Sequence, residues 1–181
     1  GIWTQEVSSL SISEHSFTAK ALYGEQSIST QWNFKNLPPE EFENFESAAP
    51  GIIQTLDLHA MYIRKTGSGN GVLIQVITYA PHITGKALRL PWDQGVDITL
   101  KNSATKIRFG FKSLNITWFS IKIFDDNNTN KSFSIIPYPP NYADWAEFFF
   151  DDRRRIKRIT IFAQFHVIKD AGFIDNFTIF Y

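Results

Sequence analysis

The sequence predicts an all-β fold, an antiparallel β-sandwich of the jelly-roll type. Aromatic residues make up 15% of the 181 residues, with 17 Phe among them, and aromatic side chains favour pleated, half-buried strands. Short apolar runs alternate with turns rich in Gly, Asn, Asp and Pro at a spacing of roughly 8–12 residues, which is typical of sandwiches and jelly rolls. No run carries the 3.6-residue apolar stripe of an amphipathic helix.

The elements follow in order along the chain. Residues 1–35 alternate apolar residues with Ser and Thr, which indicates strands with one exposed face. Residues 36–51 contain three Pro and four Glu, so they predict a solvated loop. The Gly-rich segment 67–71 lies between two apolar runs and predicts a hairpin. We therefore expect a single domain, with extra strands or loop over residues 1–45 and a jelly-roll core over residues 46–181.

Charge and cysteine content exclude several classes of protein. The 18 Lys and Arg balance the 18 Asp and Glu, which argues against a general nucleic-acid binder. Cysteine is absent, so disulfides, thiolate zinc sites and cysteine nucleophiles are excluded. The halves differ, however, because residues 1–100 hold 6 basic and 10 acidic residues and residues 101–181 hold 12 and 8.

The second half of the chain has a distinctive strand order. "KIRFGF" precedes "FSIKIFDDNN" and "KSFSII", and then "WAEFFFDDRRRIKRITI" leads to the closing "GFIDNFTIFY". This order resembles the galactose-binding-like jelly rolls, the fold of many carbohydrate-binding modules and of related secreted bacterial domains. The resemblance covers residues 45–181, and the closing strand is its most specific part. It implies a non-catalytic, lectin-like module that binds a glycan outside a bacterial cell.

The resemblance also implies a structural calcium ion near the two ends of the core. Modules of this kind often hold calcium between the first core strand and the last one, and the matching positions here are Glu46 and Asp175. Calcium takes 6–8 oxygen ligands, and a carboxylate among phenylalanines needs a cation or several donors. Alternatively, Asp175 accepts main-chain hydrogen bonds at the entry of its strand, and Glu43 could replace Glu46.

Two loops combine aromatic rings with polar side chains, as sugar-binding sites do. Flat rings can stack on the C–H faces of a sugar while neighbouring acids and amides bond its hydroxyl groups. The alternative is that these rings plug the end of the sandwich. The predicted ligand-binding residues are Tyr138, Asn141, Tyr142, Asp144 and Trp145 in the Pro-rich loop, and Trp92, Asp93 and Gln94 in the other.

Catalytic motifs are missing from the sequence, so we expect no enzyme. The four His residues are scattered, and no HExxH zinc motif, GxSxG elbow or P-loop is present. A rival interpretation is a secreted surface or toxin-like protein whose sandwich binds a protein or membrane partner, with the basic run Arg153–Arg158 as its motivating feature. The acidic neighbours Asp151 and Asp152 predict instead a solvated turn that is locally neutralised.

Overall fold

The computed structural model describes residues 14–23, 26–35, 37–68, 71–91, 93–114, 117–136, 142–165 and 171–181, and these contain strands but no α-helix. No helix in this part of the chain is long and apolar enough to cross a membrane. The fifteen strands are β1 (Glu14–Tyr23), β2 (Gln26–Lys35), β3 (Glu40–Glu43), β4 (Gly51–Ile53), β5 (Thr55–Asp57), β6 (Met61–Gly67), β7 (Val72–Val76), β8 (Lys86–Pro91), β9 (Gln94–Ala104), β10 (Lys106–Ser113), β11 (Thr117–Phe124), β12 (Asn130–Ile135), β13 (Ala143–Phe149), β14 (Ile156–Phe165) and β15 (Ala171–Phe180).

The chain divides into two compact units, residues 1–39 and residues 40–181. Within the first, β1 and β2 pair antiparallel over their whole length, from Glu14 opposite Lys35 to Tyr23 opposite Gln26. Phe17 lies opposite Trp32 with their ring centroids 6.1 Å apart. Such cross-strand aromatic pairs stabilise an antiparallel hairpin. The strand pattern predicted for this region is therefore observed over the described residues 14–23 and 26–35.

The second unit is a sandwich of two antiparallel sheets. The seven-stranded sheet I has the order β13-β10-β15-β8-β7-β4, with β3 also paired to β15, and the six-stranded sheet II has the order β12-β11-β14-β9-β6-β5. The chain crosses between the sheets at every step from β8 to β11 and again from β12 to β15. Most neighbours within a sheet are therefore distant in sequence, as in a jelly roll. The predicted fold class is confirmed.

The core lies between the sheets, where alternate side chains of facing strands meet. Four of its largest fully buried side chains are phenylalanines, namely Phe45, Phe109, Phe119 and Phe177. Phe109 stacks on Phe148 at a centroid distance of 5.5 Å. Aromatic pairs of this kind stabilise a core beyond the area that they bury. The high aromatic content of the sequence therefore serves packing first.

Two local predictions were wrong. In the acidic segment 36–51, Glu40–Glu43 forms β3 beside the last strand, and Phe45 is fully buried. The apolar residues between the glutamates could have indicated that this segment contacts the sandwich. The Gly-rich segment 67–71 does not close a hairpin, because β6 lies in sheet II and β7 in sheet I. A glycine turn permits a sharp reversal, but it does not determine which sheet the next strand joins.

The Asp- and Asn-rich segment after β11 forms a tight turn. It closes the β11–β12 hairpin, in which Ile121 lies opposite Phe133. One carboxylate oxygen of Asp125 accepts the backbone N–H groups of Asn127 and Thr129 at 2.9 and 2.8 Å, and Arg154 donates to the other at 3.1 Å. Arg154 also pairs with Asp152 at 2.8 Å. Asp152 thus neutralises Arg154 of the basic run, as predicted, whereas Asp151 pairs with Lys131.

Candidate functional site

A groove runs across the outward face of sheet II, over β11, β14 and the end of β12. It consists of two adjoining depressions of about 250 and 260 Å³ that share Ser120 and Gln164. Binding sites for small ligands are concave surfaces of comparable size, with apolar walls and a few polar groups. The eight lining residues are Trp118, Ser120, Lys122, Ser134, Ile136, Thr160, Phe162 and Gln164.

Strand register brings these side chains together. In β11 the residues Phe119, Ile121 and Ile123 face the core, so the residues between them face outward. Pairing with β14 then sets Trp118 opposite Gln164, Ser120 opposite Phe162 and Lys122 opposite Thr160. Three rows of one outward side chain from each strand therefore form the floor of the groove.

The aromatic side chains of the groove are held in place by their neighbours. The indole N–H of Trp118 donates to the side-chain oxygen of Gln164, while 37% of the residue remains exposed. Phe162 lies over Gly95 of β9, because a Cβ on that glycine would sit 2.7 Å from the phenyl ring. Both rings thus have a fixed orientation on the outer face, where part of the Trp118 side chain is exposed. An oriented, exposed ring is what stacking on a flat ligand requires.

Charges beside the groove are mostly neutralised. Asp97, on β9, is buried and is held by Arg64 at 3.0 Å, by the hydroxyl of Thr160 at 2.5 Å and by Arg158 at 3.7 Å. Arg158 also donates to Asn128 at 2.8 Å. In contrast, Lys122 is exposed, and within the described part of the chain it forms no ion pair. The groove therefore combines a ring, hydroxyls, an amide and one available cation.

Of the residues predicted in the Pro-rich loop, Asp144 and Trp145 lie in β13 of the opposite sheet, and Tyr142 directly precedes this strand. Tyr138 and Asn141 fall outside the described residues. The hydroxyl of Tyr142 donates to Asp144, and this bond raises the pKa of the phenol and lowers that of the carboxyl group. Trp145 is half-buried, with the Arg108 guanidinium 4.7 Å and the His82 ring 5.5 Å from its ring centroid. Tyr142 and Asp144 are thus bonded to each other, and Trp145 packs against Arg108 and His82. Their role as ligand contacts stays a prediction.

The second predicted loop is described only in part. Trp92 lies outside the described residues, and Asp93 is half-buried at a left-handed φ of 54°. Gln94 begins β9 with 1% of its surface exposed, and neither atom of its side-chain amide has a hydrogen-bond partner. A ligand on the surface does not reach an amide buried in this way. Direct binding by this loop therefore depends on Trp92 and Asp93, and it too stays a prediction.

Asp175 lies in a strand that is buried on both faces. The segment 77–85 covers the outer face of sheet I at this point, and Ile83 packs there beside Phe173. The backbone N–H of Thr84 donates to Asp175 Oδ2 at 3.0 Å, whereas the buried Oδ1 has no partner. Burial raises the pKa of Asp175 to about 6, and the nearby Glu46 carboxylate contributes to the rise. The acid of the closing strand thus holds the covering segment and keeps one unsatisfied oxygen.

The carboxylate of Glu46, in the segment before β4, lies near that of Asp175. Its Oε1 accepts the backbone N–H of Lys86 at 2.7 Å, and a Cβ on Gly85 would lie 1.9 Å from that oxygen. The ammonium group of Lys86 donates to the main-chain carbonyls of Glu46 and Ala48 at 2.6 and 2.8 Å. Oxygen atoms therefore converge here, and a cation already contacts some of them. Among the described residues, no three His, Asp or Glu side chains form a metal-binding group.

Sequence reasoning missed the groove, although a signal for it was present. Trp118 occupies a polar-side position of "ITWFSIKIF", where its neighbours on that face are Ser120 and Lys122. A single exposed apolar residue is ordinary on a protein surface, so the ring by itself marked a candidate contact and not a site. The pairing partners Phe162 and Gln164 could not be assigned, because β11 and β14 are separated by two other strands in sequence.

Comparison with known proteins relates the chain to solved structures alone. No protein-family model matches it, and no curated protein matches it. TmCBM61 in complex with β-1,4-galactotriose aligns at a TM-score of 0.41 and 14% identity, over 79% of this chain and 89% of that one. The family 11 carbohydrate-binding module from Clostridium thermocellum, in complex with a β-1,3-1,4-mixed-linked tetrasaccharide, aligns at 0.41 and 18%, over 70% and 94%. The K2 cleaved adhesin domain of Lys-gingipain aligns at 0.47 and 10%, over 78% and 99%.

The sequence resemblance is confirmed as a resemblance, since carbohydrate-binding modules are among these similar structures. At identities of 18% or less the likeness concerns the fold and assigns no function. One fold hosts many unrelated functions. Any function must therefore be argued from this chain's own side chains.

Proposed function

We propose that the sandwich is a non-catalytic carbohydrate-binding module and that its glycan lies in the groove of sheet II. The observation that carries this proposal is the oriented, exposed ring of Trp118 in a groove walled by hydroxyl and amide groups. A sugar ring stacks its C–H face on the indole, and Ser120, Ser134 and Gln164 exchange hydrogen bonds with its hydroxyls.

A binding role agrees better with this surface than a hydrolytic one. Glycoside hydrolysis uses two carboxylates about 5–10 Å apart. Among the described residues, the lining of the groove includes no carboxylate, and the adjacent Asp97 is buried in bonds to Arg64 and Thr160. The groove therefore offers contacts that hold a glycan and none that activate water.

The first test is a glycan array followed by affinity measurements on two tryptophan variants. We expect Trp118→Ala to weaken binding of the selected glycan by about 2 kcal/mol, roughly 30-fold, because a central aromatic contact is lost. Trp145→Ala is the matched control, since it removes the same side chain from β13 on the other sheet. Isothermal titration calorimetry measures both affinities. Loss of affinity in Trp145→Ala with Trp118→Ala unchanged would move the site to the Pro-rich loop.

A structural calcium ion at Glu46 and Asp175 is a second part of the proposal. The unpartnered Oδ1 of Asp175 and the neighbouring Glu46 carboxylate are supporting observations, since carboxylate and carbonyl oxygens are the ligands that calcium takes. When bound, the ion would neutralise both acids and tie the segment before β4 to the last strand. Lys86 contacts the carbonyls of Glu46 and Ala48, so its ammonium group would compete with the ion for these oxygens.

Calcium binding is tested by thermal unfolding in calcium and in chelator. A ligand that binds the native state alone stabilises it by about 2.7 kcal/mol at 100 times its Kd, so we expect a lower Tm in chelator. Glu46→Gln should abolish this difference while keeping an acceptor for the N–H of Lys86. Glu147→Gln, on the exposed side of β13, is the control and should retain it. Identical Tm values in calcium and chelator for the unaltered protein would refute the proposal.

A further inference from the structure

We propose that the glycan bound in the groove is acidic, with a carboxylate or sulfate group that pairs with Lys122. This inference rests on the proposed function and adds to it the chemical class of the ligand. It follows from the position of Lys122, from the charges around it and from its distance to the stacking ring.

Lys122 is a cation directed into the groove. It lies in the row between Ser132 of β12 and Thr160 of β14, and it lines the depression of about 250 Å³ together with Ser120, Thr160, Phe162 and Gln164. Each of the other lining residues is formally neutral. An anionic group bound there would meet a flexible ammonium group and adjacent hydroxyl donors, which is a favourable setting for a charge-assisted hydrogen bond.

The other charges on this face do not cancel that of Lys122. Asp97 is the carboxylate nearest in register, two strands away, and it is already shared by Arg64 and Arg158. Asp57 pairs with Lys101 at 2.8 Å. The outward face of sheet II therefore carries a net positive charge beside the groove. A neutral glycan would use none of it, whereas an acidic glycan would be attracted and oriented by it.

The spacing of the strand separates the two contacts. Trp118 and Lys122 are four residues apart on the same face of β11, which corresponds to about 13 Å between their Cα atoms. This span exceeds one sugar ring. The sugar stacked on Trp118 and the sugar whose acid reaches Lys122 are therefore different units of an oligosaccharide, so we expect a polymer rather than a monosaccharide as the ligand.

Binding of polygalacturonate, alginate and hyaluronan tests the inference, with neutral galactan and mixed-linkage glucan as uncharged probes. We expect at least one acidic polymer to bind at least 10-fold more tightly than the neutral ones in 50 mM salt. Lys122→Met, which keeps the apolar stem, should remove this advantage. Raising the salt to 500 mM should also reduce the advantage of acidic over neutral polymers, since screening weakens charge pairing and not stacking.

Matched variants separate failure of the inference from failure of the proposed function. Lys131→Met removes the same charge outside the groove, where Lys131 pairs with Asp151, and it should leave all affinities unchanged. If neutral glycans bind through Trp118 with no acidic preference, the inference is wrong and the proposed function stands. If Trp118→Ala changes no affinity, or if no glycan binds, both are wrong. Equal effects of Lys122→Met and Lys131→Met would show nonspecific attraction and would also overturn the inference.

Discussion

Asp175→Asn is expected to stabilise the sandwich at pH 7 when divalent cations are removed. The carboxyl group is fully buried, and burial raises its pKa from 3.8 to about 6. The native state therefore binds a proton more tightly than the unfolded chain does, and stability falls as the pH rises from about 4 to about 6. At pH 7 the ionised carboxylate costs about 3 kcal/mol. Asparagine avoids this cost and keeps an acceptor for the N–H of Thr84.

Urea unfolding of both proteins in chelator, at pH values from 4 to 8, measures this effect. The difference in free energy of unfolding between Asp175→Asn and the unaltered protein should increase between pH 4 and pH 6 and stay constant above pH 6. Asp126→Asn, at an exposed acid of the β11–β12 turn, is the control and should show no such gain. If the advantage of Asp175→Asn is absent at pH 7, or does not change with pH, the buried acid is not the destabilising group described above.

Calcium should make the unaltered protein more stable than Asp175→Asn, which reverses the order expected in chelator. If the ion binds at Glu46 and Asp175, saturating calcium stabilises the unaltered protein and leaves Asp175→Asn unchanged. The same pair of proteins thus separates an acid retained for a metal from an acid retained for its hydrogen bond to Thr84. A gain of equal size in both proteins would place any calcium elsewhere.

Gly110→Ala is expected to destabilise the domain by about 3 kcal/mol, because sheet I and the segment 77–85 touch through backbone atoms at this glycine. A Cβ on Gly110 would lie 1.9 Å from the carbonyl oxygen of His82 and 2.7 Å from its carbon. Backbone atoms cannot rotate away as a side chain can. The segment 77–85 must therefore lift, which also breaks the bond from Asn176 to the carbonyl of His82.

Chemical denaturation gives the stability of Gly110→Ala, and hydrogen exchange shows where it is lost. Exchange should rise over residues 77–85 and in the neighbouring β15. Thr84→Ala is the control, because it removes a hydroxyl bonded to Asn176 without adding volume, and it should cost about 1 kcal/mol. An alanine at position 110 that is tolerated within 0.5 kcal/mol would show that the segment does not rest on this strand.

The fold class was predictable from the sequence because strand patterning is a local property. In β14, Ile159 and Ile161 lie two residues apart and both are fully buried, as strand alternation requires. The Asp and Asn residues that follow β11 are likewise typical of a turn, and Asp125 accepts the backbone N–H groups that close it. Strand β3 and the crossing between β6 and β7 were missed, because partner choice depends on contacts far apart in sequence, such as that between Phe42 and Thr178.

The candidate site was less predictable for the same reason. Loops rich in Trp, Tyr and Pro attract attention as local motifs, whereas the groove is assembled from single residues at every second position of paired strands. Trp118 could have been noticed as an aromatic residue on a polar face. That Lys122 would lie beside Thr160, and that Gly95 would make room for Phe162, depends on the register of β11, β14 and β9.

Amide chemical-shift mapping with a bound oligosaccharide from the array tests the central claim most directly. Titration of the ¹⁵N-labelled protein reports which backbone amides sense the ligand. We predict the largest shifts in β11 and β14, around Trp118, Ser120, Phe162 and Gln164, together with the indole N–H of Trp118. Shifts concentrated instead at residues 142–145 or around Asp93, with β11 and β14 unchanged, would contradict the assignment of the groove as the glycan site.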